Sequence, residues 1–312
     1  MDRIRKITIL GAGAMGAAYA AMFSDAEGFF VSFVAGGERY DRLRKSPLSV
    51  NGKRYAIPVV HPDEGPDRAD LVIVALKHHH LAPGIGDISG LVGDDTTILS
   101  VMNGLESEEM IGAVYGMEKM VYAIAVGIDA VRQAGRFSYT NPGKIIFGAG
   151  PNAGGGNRVR HLKEALDRAG IPNQVPEDIL RSLWWKFMIN VGVNQASAVL
   201  RGPYGVFQSS PEAVALMTSL MEEVIALAAK AGIDLTDKDI DQWRDILGTL
   251  SPTGKTSMLQ DIEAGRKTEV EIFAGKVVSL GARYGVATPV NQTVLRIIKV
   301  IEDRYLKPKL SV

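Results

Sequence analysis

Lys6-Ile-Thr-Ile-Leu10 runs straight into Gly11-Ala12-Gly13-Ala14-Met15-Gly16, and an Ala-rich stretch from Ala17 to Phe23 follows. A short apolar run breaking into G-x-G-x-x-G and then into helix-forming residues describes a strand that turns into a helix. Each glycine has a separate job in that turn. Gly11 permits the tight bend, Gly13 lets the backbone approach phosphates with no Cβ in the way, and Gly16 lets the helix lie close against the strand. The free N–H groups at the helix N-terminus then face the anion. A second apolar segment, Phe29 to Ala35, falls where the next strand of a βαβ unit belongs. The stretch therefore predicts a dinucleotide pyrophosphate site.

Composition narrows the remaining choices. A chain of 312 residues exceeds one ordinary core and predicts two domains, and 46% hydrophobic with 22% charged residues is normal for a globular protein. Lys plus Arg and Asp plus Glu balance at 35 each. No global field recruits nucleic acid or an anionic membrane, so an anion site has to be local. Cysteine is absent, which removes disulfides, thiol nucleophiles and thiolate metal sites and fits a reducing compartment. The first apolar run is too short for a signal-peptide core and no other segment reaches the length of a membrane span, so the expectation is a cytoplasmic protein.

The first half alternates strand-like and helix-like segments, the pattern of a parallel sheet covered by helices. After the first two strands come Leu71 to Leu76 and Thr97 to Met102, runs rich in Val, Ile and Leu as doubly buried strands should be. Val121 to Val126, Gly135 to Thr140, Lys144 to Gly148 and Ile171 to Val175 are further strand candidates, with a glycine-rich loop over 149–157 and a helix over Arg158 to Ala169. From about Asp178 strand signals nearly vanish. Helical spacing runs through Ile179 to Val199, Pro211 to Ala231, Asp237 to Leu247, Ser257 to Ala264, Glu269 to Tyr284 and Asn291 to Tyr305. The expected architecture is α/β over 1–177, a parallel-sheet dinucleotide-binding domain, followed by an all-helical domain over 178–312.

Two constellations in the helical half carry chemistry. In Leu183-Trp-Trp-Lys186-Phe-Met-Ile-Asn190-Val-Gly-Val-Asn194, the spacing i, i+4, i+8 puts Lys186, Asn190 and Asn194 on one helix face among apolar neighbours. A solvated stripe usually carries Glu, Lys and Arg, whereas amides are poor helix formers. A lysine in apolar surroundings suits a proton donor, and amides beside it suit a carboxylate or hydroxyl. The second constellation is Ser257-Met-Leu-Gln-Asp261 with Arg266-Lys-Thr268-Glu269-Val-Glu271. Ser257 with Gln260, and Thr268 with Glu271, also fit capping boxes, so taken alone Ser257 reads as an N-cap and Glu269 as a dipole complement before either reads as functional. In the first half, Lys77 and Asn103-Gly104 follow the third and fourth strands, on the edge where ligands of open α/β sheets sit, though Asn-Gly is also a common turn. His78-His79-His80 cannot easily aim three imidazoles at one ion, and no metal is expected.

Taken in order and spacing, these pieces resemble the ketopantoate reductases (2-dehydropantoate 2-reductases) over nearly the whole chain. The resemblance implies a Rossmann-type first domain, a helical second domain, and a cleft where NADPH and a small 2-keto acid meet. It implies Lys186 as general acid, with Glu269 binding the substrate hydroxyl. Asn190, Asn194 and Ser257 would hold the substrate, with Tyr204 at its end of the cleft. Lys77 and Asn103 would line both cofactor and substrate, while the Gly11–Gly16 loop, Arg39 and His80 would serve NADPH/NADP+. The implied reaction is formation of D-pantoate, as in pantothenate biosynthesis, by a monomer or homodimer.

Three positions depart from the family pattern. The arginine that usually follows the second strand to hold the 2′-phosphate is here Gly36; Arg39 or Arg42 would substitute within the basic cluster Arg39, Arg42, Arg44, Lys45, whereas Glu38 would favour NADH. His80 stands where a glutamine is common, and Tyr204 where asparagine is common. Reduction of another branched 2-keto acid, and dinucleotide sensing without turnover, are the competing expectations.

Overall fold

The structure is a computed structural model that describes residues 3–45, 47–64, 67–133, 135–151 and 156–306. Of the glycine loop expected at 149–157, residues 152–155 lie outside the described residues. The chain forms two compact units, Met1–Ser182 and Leu183–Val312.

The first unit contains strands β1 (Lys6–Leu10), β2 (Phe30–Val34), β3 (Leu48–Val50), β4 (Lys53–Tyr55), β5 (Val59–Val60), β6 (Leu71–Val74), β7 (Thr97–Ser100), β8 (Met120–Val126), β9 (Val131–Gln133), β10 (Arg136–Ser138), β11 (Lys144–Gly148) and β12 (Asn173–Gln174). Its helices are α1 (Ala14–Asp25), α2 (Gly37–Lys45), α3 (Leu81–Gly84), α4 (Ser107–Tyr115) and α5 (Gly156–Arg168). Eight strands make one sheet in the order β12-β11-β8-β7-β6-β1-β2-β5. All its pairings are parallel except β8 with β11. The other four strands form a small second sheet, β4-β3-β10-β9.

β1 lies at the centre, with Leu10 registered against Val34 of β2 and Val74 of β6. The chain leaves β1 towards β2 and β5, then returns to β6 on β1's other side. That reversal is the switch point at which open parallel sheets bind ligands beyond their strand ends. Alternation along β1 builds two layers. Ile7 and Ile9 join Tyr19, Phe23 and Leu162 on one side, while Leu10 joins Val72, Val74, Leu81 and Ile111 on the other.

The alanines of α1 follow from what covers it. Ala18, Tyr19, Met22 and Phe23 pack into the layer on the large sheet, while Ala17 and Ala21 pack with Val50 and Phe137 of the small sheet. A helix buried on opposite sides has little room for long side chains, and residues 16–23 are all buried.

Helix α6 (Ile179–Ile189) contains the division between the units. It continues through a π-helical turn, Asn190–Asn194, into α7 (Gln195–Leu200). Arg201, in the left-handed region at φ +50°, ends this run, and Gly202 N–H closes it on the Ser197 carbonyl at 3.1 Å. Then come α8 (Tyr204–Ser209), α9 (Pro211–Lys230), α10 (Asp237–Thr249) and α11 (Ser257–Glu263). A second π turn, Glu271–Gly275, leads into α12 (Lys276–Tyr284), and α13 (Pro289–Leu306) follows. The helical reading of this half holds throughout the described residues. None of the described helices is long and apolar enough to cross a membrane.

Candidate functional site

In the first unit the glycine loop has the geometry its sequence predicts. Gly11 has φ +112°, and a Cβ there would stand 2.5 Å from the Ala75 carbonyl oxygen, so the turns after β1 and β6 touch. A Cβ on Gly16 would stand 1.9 Å from the Gly11 carbonyl oxygen. Gly13 differs: a Cβ there meets nothing within 4 Å. Gly13 is the N-cap of α1 and makes no side-chain cap, and the first turn carries no acidic residue. The loop thus offers uncapped N–H groups to an open approach, which fits a dinucleotide pyrophosphate.

Around that edge, Lys77 is half-buried and precedes the short turn His78–His80. Burial lowers the His80 pKa, and the positive charges of Arg39 and Lys77 lower it further. Those three side chains therefore share one electrostatic neighbourhood, and His80 is favoured as a neutral imidazole there. Asn103 is half-buried in the turn after β7, with Gly104 at φ +96°. The three histidines do not converge. The rings of His79 and His80 contact each other at 4.1 Å between centroids, while His78 Nε2 lies 3.9 Å from Glu106 Oε2. Among the described residues no group of three His, Cys, Asp or Glu side chains is placed to hold a metal.

The basic cluster is helix α2, where Arg44 donates to the Tyr40 hydroxyl at 3.1 Å and lies over its ring. Glu38 is exposed in its first turn. At Gly36 the structure adds a residue that sequence reasoning missed: a Cβ there would stand 3.5 Å from Asp87 Oδ1. A carboxylate from the segment after α3 thus reaches the end of β2.

In the second unit Lys186 is half-buried on α6, one turn before Asn190. Asn190 and Asn194 bracket the π turn rather than extending a regular α-helical ridge. A π turn has more residues per turn than an α-helix, which brings positions four apart closer to eclipsed. Asn194 Nδ2 donates to Asn190 Oδ1 at 3.2 Å and lies 3.4 Å from Ser257 Oγ, which it also faces as donor. Three of the expected substrate residues therefore meet directly.

Ser257 is not the cap of α11. Thr256 is: its Oγ1 accepts from Leu259 N–H at 3.2 Å and donates to Ser197 Oγ at 3.1 Å. The chain enters the helix one residue earlier than the Ser257/Gln260 spacing implies, which leaves Ser257 exposed beside Asn194. The Thr268/Glu271 box is also replaced. Thr268 Oγ1 accepts from Val270 N–H at 3.3 Å, and Thr268 donates from both N–H and Oγ1 to buried Glu302 at 2.6 Å each. Glu271 pairs instead with Lys299 at 3.0 Å. Glu269, 8% exposed, precedes the second π turn. Arg266, bonded to buried Asp261 at 3.0 Å, braces the same segment from the other end. Tyr204 opens α8 with its ring against Gly254, its N–H donates to the Gly254 carbonyl at 2.9 Å, and burial raises its pKa.

These features define a class, a Rossmann-type dinucleotide fold joined to an all-helical unit that carries a lysine, amide and carboxylate set. Family models sharpen it: residues 7–152 match "Ketopantoate reductase PanE/ApbA" and residues 178–302 match "Ketopantoate reductase PanE/ApbA C terminal". The chain belongs to the ketopantoate reductase family of oxidoreductases. It is similar to the 2-dehydropantoate 2-reductase of Aquifex aeolicus, 27% identical over 317 residues that cover 97% of this chain and 99% of that one. It is also similar to the crystal structure of 2-dehydropantoate 2-reductase from Geobacter metallireducens, 26% identical with a TM-score of 0.84, covering 95% of this chain and 99% of that one. A D-mandelate dehydrogenase, solved with NADH and anilino(oxo)acetate, shares the fold with a TM-score of 0.86 at 24% identity, covering 96% of this chain and 99% of that one.

Proposed function

We propose that this protein reduces the C2 ketone of 2-dehydropantoate (ketopantoate) to D-pantoate with NADPH, the pantothenate-pathway reaction, and that Lys186 is the general acid. The observation that carries this reading is the hydrogen-bonded set Asn190, Asn194 and Ser257, one helical turn from Lys186. Residues 1–177 serve as the dinucleotide-binding domain and 178–312 as the substrate and catalytic domain. When bound, the dinucleotide supplies the hydride to C2.

The chain's own residues do the rest. The N–H groups of the Gly11–Gly16 loop hold the pyrophosphate, Arg39 meets the 2′-phosphate, and Lys77, His80 and Asn103 line the cofactor. The Lys186 ammonium stabilises the negative charge that grows on the C2 oxygen and then gives that oxygen a proton. Asn194 holds Asn190 and Ser257 with its two amide hydrogens. Asn190 Nδ2 and Ser257 Oγ donate to the substrate carboxylate, and Glu269 accepts from the substrate hydroxyl, which fixes the face presented to the hydride.

Initial rates with ketopantoate, comparing NADPH and NADH, test the proposal. Turnover with NADPH is expected, and no oxidation of either cofactor by any 2-keto acid would leave a dinucleotide-binding protein without turnover. Tyr204 supports one second reading, a bulkier or differently branched 2-keto acid, because its ring rests on the 251–255 loop that leads to Ser257. A panel of 2-keto acids ranked by kcat/KM separates the two.

A further inference from the structure

Both π turns leave backbone groups without their usual partners, and one side chain takes up the two that matter here. At the first, Gln195 N–H donates to the Gly192 carbonyl. The Val191 carbonyl, which an unbroken α-helix would pair with that N–H, accepts instead from Gln195 Nε2 at 2.8 Å. At the second, Gly275 N–H takes the Val270 carbonyl at 3.0 Å, the wide-turn bond. Ala274 N–H is displaced from that acceptor and donates to Gln195 Oε1 at 2.9 Å. The remaining Nε2 hydrogen goes to Asn291 Oδ1 at 3.0 Å, and Asn291 is held in turn by Glu223 Oε2 at 2.7 Å. Gln195 is 0% exposed, and its primary amide makes these three bonds.

We infer that Gln195 is a positioning residue for the substrate: it fixes the turn carrying Asn190 and Asn194 against the turn that follows Glu269. Ile272 N–H donates to the Glu269 carbonyl at 3.1 Å, so Glu269 is tied to the second turn as the asparagines are part of the first. An aliphatic side chain in place of Gln195 would leave both turns to relax separately. A hydrophobic contact cannot supply one donor and one acceptor to two different turns. The inference rests on the substrate roles proposed for those residues.

The test is steady-state kinetics of Gln195→Met and Gln195→Glu, with melting curves and NADPH binding measured on the same preparations. Gln195→Glu keeps the acceptor for Ala274 N–H and the chain length but removes the donor to Val191 and Asn291. For folded variants, kcat/KM for ketopantoate is expected to fall roughly 30-fold, mainly through KM, with the NADPH dissociation constant unchanged. Gln195→Glu should retain more activity than Gln195→Met. Parental ketopantoate KM in either folded variant, an equal loss of NADPH affinity, or failure of both variants to fold would each overturn the positioning role. The unmodified enzyme separates the two levels: if it turns over no keto acid, the functional reading itself has failed.

Discussion

Gly13 and Gly16 lie three residues apart in one loop, yet an added methyl should do opposite things at the two positions. At Gly16 the new Cβ would sit 1.9 Å from the Gly11 carbonyl oxygen and 3.2 Å from Ile9 Cγ2. The nearest obstacle is backbone, and it cannot retreat, because Gly11 is itself pressed towards the Ala75 carbonyl. Gly16→Ala should therefore destabilise the protein by about 3 kcal/mol, the upper range for overpacking, which lowers Tm by about 6 to 10 °C. At Gly13 the Cβ meets nothing within 4 Å and φ is −81°, a value any residue adopts. Gly13→Ala should change stability by less than about 1 kcal/mol. Its methyl would stand where the pyrophosphate has to approach, so dinucleotide binding should weaken by about 2 kcal/mol, roughly 30-fold in Kd. Thermal melting and titration followed by NADPH fluorescence read the two effects separately. If Gly13→Ala melted like the parent and also bound NADPH like the parent, the loop would not be the pyrophosphate site.

Lys186→Ala should lower kcat by at least about 100-fold with NADPH affinity intact; near-normal turnover would remove the general-acid assignment. Glu108 is buried and bonded to Ser107 Oγ at 2.8 Å, and burial pushes its carboxyl up to about 7. Because its folded pKa lies above its unfolded one, its contribution is full below about pH 4.5 and is lost as pH rises through about 7, a total of about 3 kcal/mol. Denaturant midpoints from pH 4.5 to 8 should show this decline, and it should be absent in Glu108→Gln; parallel curves would refute the assignment. Asp87→Asn should raise the NADPH to NADH ratio of kcat/KM about tenfold by removing a negative charge beside the end of β2, and an unmoved ratio would place the ribose elsewhere.

What the sequence revealed of this molecule follows from where each signal is stored. The β1–α1 turn was legible because its constraint is local: three glycines within six residues, of which Gly11 and Gly16 answer backbone contacts with the neighbouring strand's turn and within the loop, while Gly13 keeps the approach open. The parallel strands other than β5 were legible as apolar runs, and the helical half as period. Of the small sheet only β10 was legible, within the strand expected over Gly135 to Thr140; β3, β4 and β9 are three residues each, and β10 pairs with β3 across more than 80 residues of chain. The π turns were hidden for a different reason. Inserting one residue into a turn hardly disturbs hydrophobic spacing, so 179–199 and 269–284 read as plain helices; only the displaced hydrogen bonds reveal the widening. Gln195 was overlooked with them, as its amide has meaning only beside the groups those turns release. Thr256 as the cap of α11 was not legible, because two adjacent hydroxyl residues satisfy the same capping pattern, and only the backbone decides which one turns the chain.

Cofactor choice shows the same limit at its sharpest. A sequence search looks for the selecting residue about twenty positions after the glycine loop, on the assumption that the strand end supplies its own side chain. At Gly36 there is none to supply. The end of β2 is instead reached by Asp87, from a segment that follows the third core strand, while Arg39 on α2 directs its field towards His80. A carboxylate at the strand end opposes a 2′-phosphate and suits a ribose hydroxyl; a guanidinium on α2 does the reverse. In the proposed reading two side chains on different elements set the balance between NADPH and NADH, and substituting Gly36 by arginine should not restore the family pattern by itself. The new guanidinium would meet Asp87 before it met any phosphate. Gly36→Arg alone should leave the NADPH to NADH ratio within about threefold of the parent, whereas Gly36→Arg with Asp87→Asn should raise it beyond the product of the single effects, a coupling that double-mutant kinetics measures directly. Simple additivity of the two substitutions would show that Asp87 does not act at the ribose end of the site.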